Sequence, residues 1–86
     1  MSVFYVYILE TITKNGKKNY YTGYTENLLR RIEEHKKGKG AKFCRGKKIE
    51  LKYFETYLNR KKAMKRELEI KSLSKQKKDK LIKNFG

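Results

Sequence analysis

One cysteine, Cys44, and one histidine, His35, occur among 86 residues. A lone thiol cannot close an internal disulfide, so nothing in the chain calls for an oxidising compartment. The same scarcity excludes a structural zinc site, which needs about four protein ligands. The pair also makes a poor nucleophile and base, because His35 falls on an expected helix, Cys44 in a basic loop, and Asp79 is badly placed to orient the imidazole. Long apolar runs are missing too. The longest, Val3 to Leu9, is far too short to span a bilayer and lacks the basic segment and cleavage site of a secretory signal. A cytoplasmic chain with no membrane partner is expected. Gly38, Gly40 and Gly46 punctuate a lysine-rich stretch, but no Gly-Lys-Ser/Thr closes it, which excludes a nucleotide-cradling loop and leaves no small-molecule cofactor implied.

Acid is the other shortage. Nine Asp and Glu stand against 24 Lys and Arg, a net charge of +15. Such a field concentrates polyanions, which makes nucleic acid the first partner to consider. A membrane surface would need a basic helix with an exposed apolar face, and the apolar stripes here are required by the core. The plainer alternative is a soluble protein with a basic bias. Hydrophobic residues make up 37 % of the chain and aromatics 13 %, enough for one small core. Residues 1–86 are expected to form a single domain burying roughly 60 to 70 per cent of the surface its unfolded chain exposes.

Val3 to Leu9 reads as a strand buried on both faces, with Val3, Tyr5, Tyr7 and Leu9 on one side and Phe4, Val6 and Ile8 on the other. Asn15-Gly16 predicts a two-residue hairpin turn into a second strand over Asn19 to Tyr24. Thr25 or Asn27 can cap a helix whose apolar stripe is Leu28, Leu29 and Ile32, and Arg31 and His35 share a side of it one turn apart. Gly38 and Gly40 stop that helix, and Lys39 to Lys48 is expected as a flexible basic loop interrupted by Phe43 and Cys44. A third strand, Glu50 to Tyr57, alternates Leu51, Tyr53, Glu55 and Tyr57 against Lys52, Phe54 and Thr56. Asn59 caps a helix carrying Ala63, Met64, Leu68 and Ile70, and Ser74 starts a last one ending in Leu81, Ile82 and Phe85. The fold class is therefore α+β, with a three-stranded antiparallel sheet flanked by helices.

Several residues carry chemistry. Lys39, Lys42, Arg45, Lys47 and Lys48 can contact phosphates, while Phe43 suits either a stacked base or a tether into the core. Glu67, four residues before Lys71, reads most simply as half of a surface ion pair, and Tyr7 and Tyr21 as an ordinary cross-strand aromatic pair. What lifts these three is their occurrence in one ordered set with Arg31 and His35.

That set, Tyr5-Val6-Tyr7-Ile8-Leu9, Tyr21-Thr22-Gly23, Arg31-x-x-x-His35 and Ala63-x-x-x-Glu67, resembles the GIY-YIG nuclease superfamily. The Gly38 to Lys42 and Lys65 to Lys71 segments are similar to those of its small stand-alone bacterial members. The resemblance covers nearly the whole chain and implies a divalent-metal-dependent endonuclease, Mg²⁺ or Mn²⁺, hydrolysing phosphodiesters in DNA, with structure-specific repair or recombination substrates and RNA left open. It implies Tyr7 as general base or water-orienting group, Tyr21 in support, Arg31 on the scissile phosphate, His35 in positioning or proton transfer, and Glu67 on the metal. Reference pKa values near 10 for tyrosine and 6.5 for histidine keep Tyr7 and His35 as rival bases. The chain departs from the pattern with Tyr5-Val6-Tyr7 for Gly-Ile-Tyr and with Thr22 for Ile. Many family nucleases also carry a separate nucleic-acid-binding domain, so a weakly active or non-catalytic binding module of the same fold is the alternative.

Overall fold

The computed structural model describes residues 2–85. Among them the element order is β1 (Phe4–Ile12), β2 (Lys18–Thr25), α1 (Leu28–Lys36), β3 (Lys48–Tyr57), α2 (Arg60–Lys71) and α3 (Lys75–Lys83), with a 3₁₀ turn Lys42–Cys44 between α1 and β3. The strands form one antiparallel sheet in the order β2-β1-β3, so β1 is central and both neighbours are edges. This is the expected α+β architecture.

Alternation along β1 decides which helix covers which face. Phe4, Val6 and Ile8 pack with Tyr53, Ala63 and Ile70 beneath α2, while Tyr7 and Leu9 pack with Leu28, Ile32, Cys44 and Ile49 beneath α1. Each such burial contributes on the order of 1.5–3 kcal/mol, which is how a short two-faced strand organises the domain.

β3 does not alternate as its sequence suggests. Its pairing with β1 slips between Ile8 and Leu9, where Ile8 meets Tyr53 but Leu9 meets Leu51. Lys52 is the extra residue, and this bulge turns Leu51 to the α1 face with Ile49 and Phe54 while Tyr53 and Tyr57 stay under α2. The β1–β2 hairpin differs as well. Thr13 and Lys17 close it, Gly16 N–H donates to Thr13 O at 2.9 Å, and only Gly16 takes a positive φ, +82°. The connection is thus a three-residue loop with a glycine bulge rather than a two-residue turn.

Asn27, Asn59 and Ser74 cap the three helices, each side chain accepting from the backbone N–H three residues on. The apolar stripes are narrower than expected. Leu29 is 78 % exposed, and Met64 and Leu68 are also exposed, because a sheet only three strands wide buries one row of each helix: Leu28, Ile32 and His35 on α1, Ala63 and Ile70 on α2.

The Lys39 to Lys48 stretch is also more ordered than a flexible loop. Its 3₁₀ turn places Cys44, rather than Phe43, in the core, and Lys48 already belongs to β3. Burial raises the Cys44 thiol above its ordinary pKa, which further disfavours a thiolate role.

Two polar clamps fix the α2 and α3 layer. Arg66 holds Glu55 with Nε at 2.9 Å and Nη2 at 3.0 Å, and the Tyr53 and Tyr57 hydroxyls donate to the same carboxylate. Burial pushes Glu55 up, but Arg66 and the hydroxyls prevail and hold its pKa below the usual range. Tyr20 on β2 donates to Asp79 on α3. At the opposite edge Phe85 packs against both Tyr53 and Phe54, ring centroids 5.2 and 5.3 Å away, and so wraps around β3. Among the described residues no helix is long and apolar enough to cross a membrane.

Candidate active site

Tyr7 points to the α1 face from the central strand. Its partner across the hairpin is Gly23, and Tyr21 stands diagonally from it, opposite Leu9, rather than in a direct cross-strand pair. A Cβ on Gly23 would lie 2.6 Å from Tyr7 Oη, so glycine is what lets the phenol ring cross β2 towards the open edge of the sheet.

Leu28 and Ile32 seat α1 on the sheet, and the next turn brings His35 into the same buried row. His35 Nε2 lies 3.0 Å from Tyr7 Oη, and the Ala41 backbone N–H donates to Nδ1 at 3.3 Å. A backbone amide can only donate, so Nδ1 carries the lone pair and the neutral ring holds its proton on Nε2. His35 is therefore a donor to Tyr7, and its acceptor nitrogen is occupied. Burial, and after it the Arg31 charge, lowers the His35 pKa and keeps the ring neutral. Gly40 makes room for this ring, since a Cβ there would meet the imidazole, with Cε1 only 2.7 Å away.

Burial pushes the Tyr7 hydroxyl up to about 12, against the pull of the Arg31 guanidinium beside it. Tyr7 in turn raises the Arg31 pKa, and Arg31 Nη1 also donates to Glu34 Oε1 at 3.3 Å. Arg31 is half-exposed at its tip, a fixed fork of donors at the rim of the site. Tyr21 completes the cluster, its ring centroid 5.3 Å from His35 and, on the other side, stacked with Phe43 at 6.2 Å. Burial raises its hydroxyl too.

Glu67 lies on α2, which packs on the opposite face of the sheet from α1. Its negative charge is among the influences raising Tyr21. Its Oε2 lies 3.6 Å from Lys71 Nζ, with the carboxylate side chain 16 % exposed. The ion pair with Lys71 expected of Glu67 is thus present, with the carboxylate mostly covered. Among the described residues no group of three or more His, Cys, Asp and Glu could hold a metal. A single carboxylate nevertheless suits Mg²⁺, which keeps several waters and takes further ligands from phosphate.

Of the basic residues expected on nucleic acid, Lys39, Lys42, Arg45 and Lys48 are exposed. Lys47 instead sets its ammonium 3.6 Å from the Phe43 ring centroid. Sequence reasoning missed Gly40, which looked like a helix stop, and the Ala41 amide, which leaves no side-chain signal. It also missed a cleft of about 260 Å³ between β2 and the helices, lined by Tyr20, Tyr21, Thr22, Phe43, Lys71 and Lys78.

Comparison with known proteins identifies the family of the chain. A UPF0213 protein of Natronomonas pharaonis is 46 % identical over 79 residues, 91 % of this chain and 88 % of the relative. A UPF0213 protein of Clostridium perfringens is 44 % identical over 79 residues, 91 % and 81 % of the two chains. The solution structure of a UPF0213 protein from Bacillus halodurans superposes with a TM-score of 0.54 at 40 % identity, covering 94 % of this chain and 83 % of that one. The GIY-YIG catalytic domain model matches residues 3–80, and the chain therefore belongs to the GIY-YIG nuclease family.

Proposed function

We propose that residues 1–86 act as a single-domain, divalent-metal-dependent endonuclease that hydrolyses phosphodiester bonds in DNA. The observation that carries this reading is the Tyr7–His35–Ala41 relay, in which a buried histidine is fixed as a donor to one tyrosine hydroxyl beside an arginine at the rim. A packing core has no need of such an arrangement. Arg31 binds the scissile phosphate and stabilises the charge it gains. Tyr7, accepting from His35, turns its own O–H and remaining lone pair towards the attacking water and orients it. His35 is a positioning residue. Tyr21 walls the site and keeps bulk water from Tyr7.

Glu67 would hold the metal, which when bound supplies Lewis-acid stabilisation of the phosphate oxygens. The +15 charge brings DNA to this edge, and Lys39, Lys42, Arg45, Lys47 and Lys48 contact its backbone. A role in processing branched or damaged DNA, in the reducing cytoplasm where the free Cys44 is at home, fits the same features.

One observation favours a second reading, a binding module with little turnover: Lys71 is paired with Glu67 where a metal ligand should stand free. Cleavage separates the two. Supercoiled, branched and single-stranded DNA in Mg²⁺ or Mn²⁺ should be cut by the unmodified protein, and by Glu67→Ala, Arg31→Ala and Tyr7→Phe at least about a hundredfold more slowly. Cutting that survives Glu67→Ala comes from a contaminant, and absence of cutting on every substrate establishes the binding module.

A further inference from the structure

We propose that the cleft along the free edge of β2 receives one unpaired nucleotide next to the phosphate held by Arg31, so that the preferred ligand is DNA with a single-stranded element. The nuclease reading supplies only the identity of that neighbouring phosphate. The cleft itself stands on independent features.

Its floor is Thr22, 3 % exposed, whose hydroxyl is buried without a hydrogen-bond partner. Buried polar groups are nearly always paired, and Thr22 is one of the residues that line a cavity of about 260 Å³. Its walls are the rings of Tyr20, Tyr21 and Phe43, and its mouth carries Lys71 from α2 and Lys78 from α3. Aromatic walls and two cations are what a nucleotide requires: surfaces for the base and charge for its phosphate. The cavity is too small for a duplex. A paired base shows its edge and keeps its faces in the stack, so only an unpaired one can enter.

The cleft also joins the site already described. Tyr21 belongs to both, and Lys71 is the residue paired with Glu67. A phosphate at the mouth attracts Lys71 away from that carboxylate, which ties occupation of the cleft to exposure of Glu67.

Fluorescence anisotropy in EDTA tests this without cleavage. The ligands are a labelled duplex with a short dT tail, the same duplex with an abasic tail of equal phosphate count, and a blunt duplex. The unmodified protein should bind the dT tail about tenfold more tightly than the abasic tail, within the range expected for one stacked base. Phe43→Ala should reduce that ratio to about twofold or less while binding the blunt duplex as before. Equal affinity of the unmodified protein for the two tails, or a full ratio retained by Phe43→Ala, overturns the proposal. Base discrimination without cutting in Mn²⁺ would sink the nuclease reading alone, and cutting without base discrimination would sink this one alone.

Discussion

His35 donates its Nε2 proton to the hydroxyl of Tyr7 because the backbone N–H of Ala41 occupies Nδ1. The imidazole is thereby a neutral donor in a buried row of α1, and the two groups that first looked like competing bases are parts of one relay.

Gly40→Ala should break that relay from the side. The added methyl overlaps the imidazole, so the ring must move or the loop must yield, at a cost of about 1–3 kcal/mol. In a domain of this size that lowers Tm by roughly 4–8 °C per kcal/mol, readable by calorimetry. A variant that melts with the unmodified protein would show that the loop adapts freely.

The His35 shift gives stability a pH dependence whose sign is fixed. The folded pKa lies below the unfolded value of about 6.5, so protons bind the unfolded chain more readily. The contribution is fully present above pH 6.5 and is lost as pH falls towards the folded pKa. Urea titrations of the unmodified protein should show this decline, and His35→Gln should flatten that segment of the curve. An identical decline in His35→Gln would assign it to the carboxylates.

Arg66 and Glu55 should behave as a coupled pair. Both are mostly covered, and Glu55 also accepts from Tyr53 and Tyr57, so removing the guanidinium leaves a shielded carboxylate without its cation. A double-mutant cycle of Arg66→Met and Glu55→Gln should give a coupling of about 1–3 kcal/mol. Because Glu67 is the next residue on α2, Arg66→Met should also slow cleavage, although Arg66 lies on the side of the helix facing β3.

Thr22→Val should raise Tm in the absence of DNA. Exchanging an unpaired buried hydroxyl for a methyl of the same shape removes a desolvation cost of about 1–3 kcal/mol. A lower Tm would mean that the hydroxyl has a partner in solution.

Much of this molecule was legible because its signals are local. The two-faced apolar run of β1, the asparagine and serine caps and the one-turn spacing of Arg31 and His35 each determine structure within a few residues. What escaped depends on distant partners. The Lys52 bulge exists because Leu9 and Leu51 must meet, and nothing in the Glu50 to Tyr57 alternation announces it. Leu29, Met64 and Leu68 look like core on a helical wheel, yet a three-stranded sheet has no width to cover them. Gly40 has its meaning only through a ring five residues earlier, and the cleft only through α3 folding back to bring Lys78 over β2.

Phe85, touching Tyr53 on one face of β3 and Phe54 on the other, has a consequence for how copies of this chain meet. β3 is an outer strand with backbone groups free to recruit a neighbour, the usual seed of runaway sheet growth. A phenyl ring straddling its middle, with Lys48 and Lys52 nearby on the strand, stops an incoming strand from zipping along it. Sheet extension through β3 is thereby disfavoured, while the β2 edge carries the cleft.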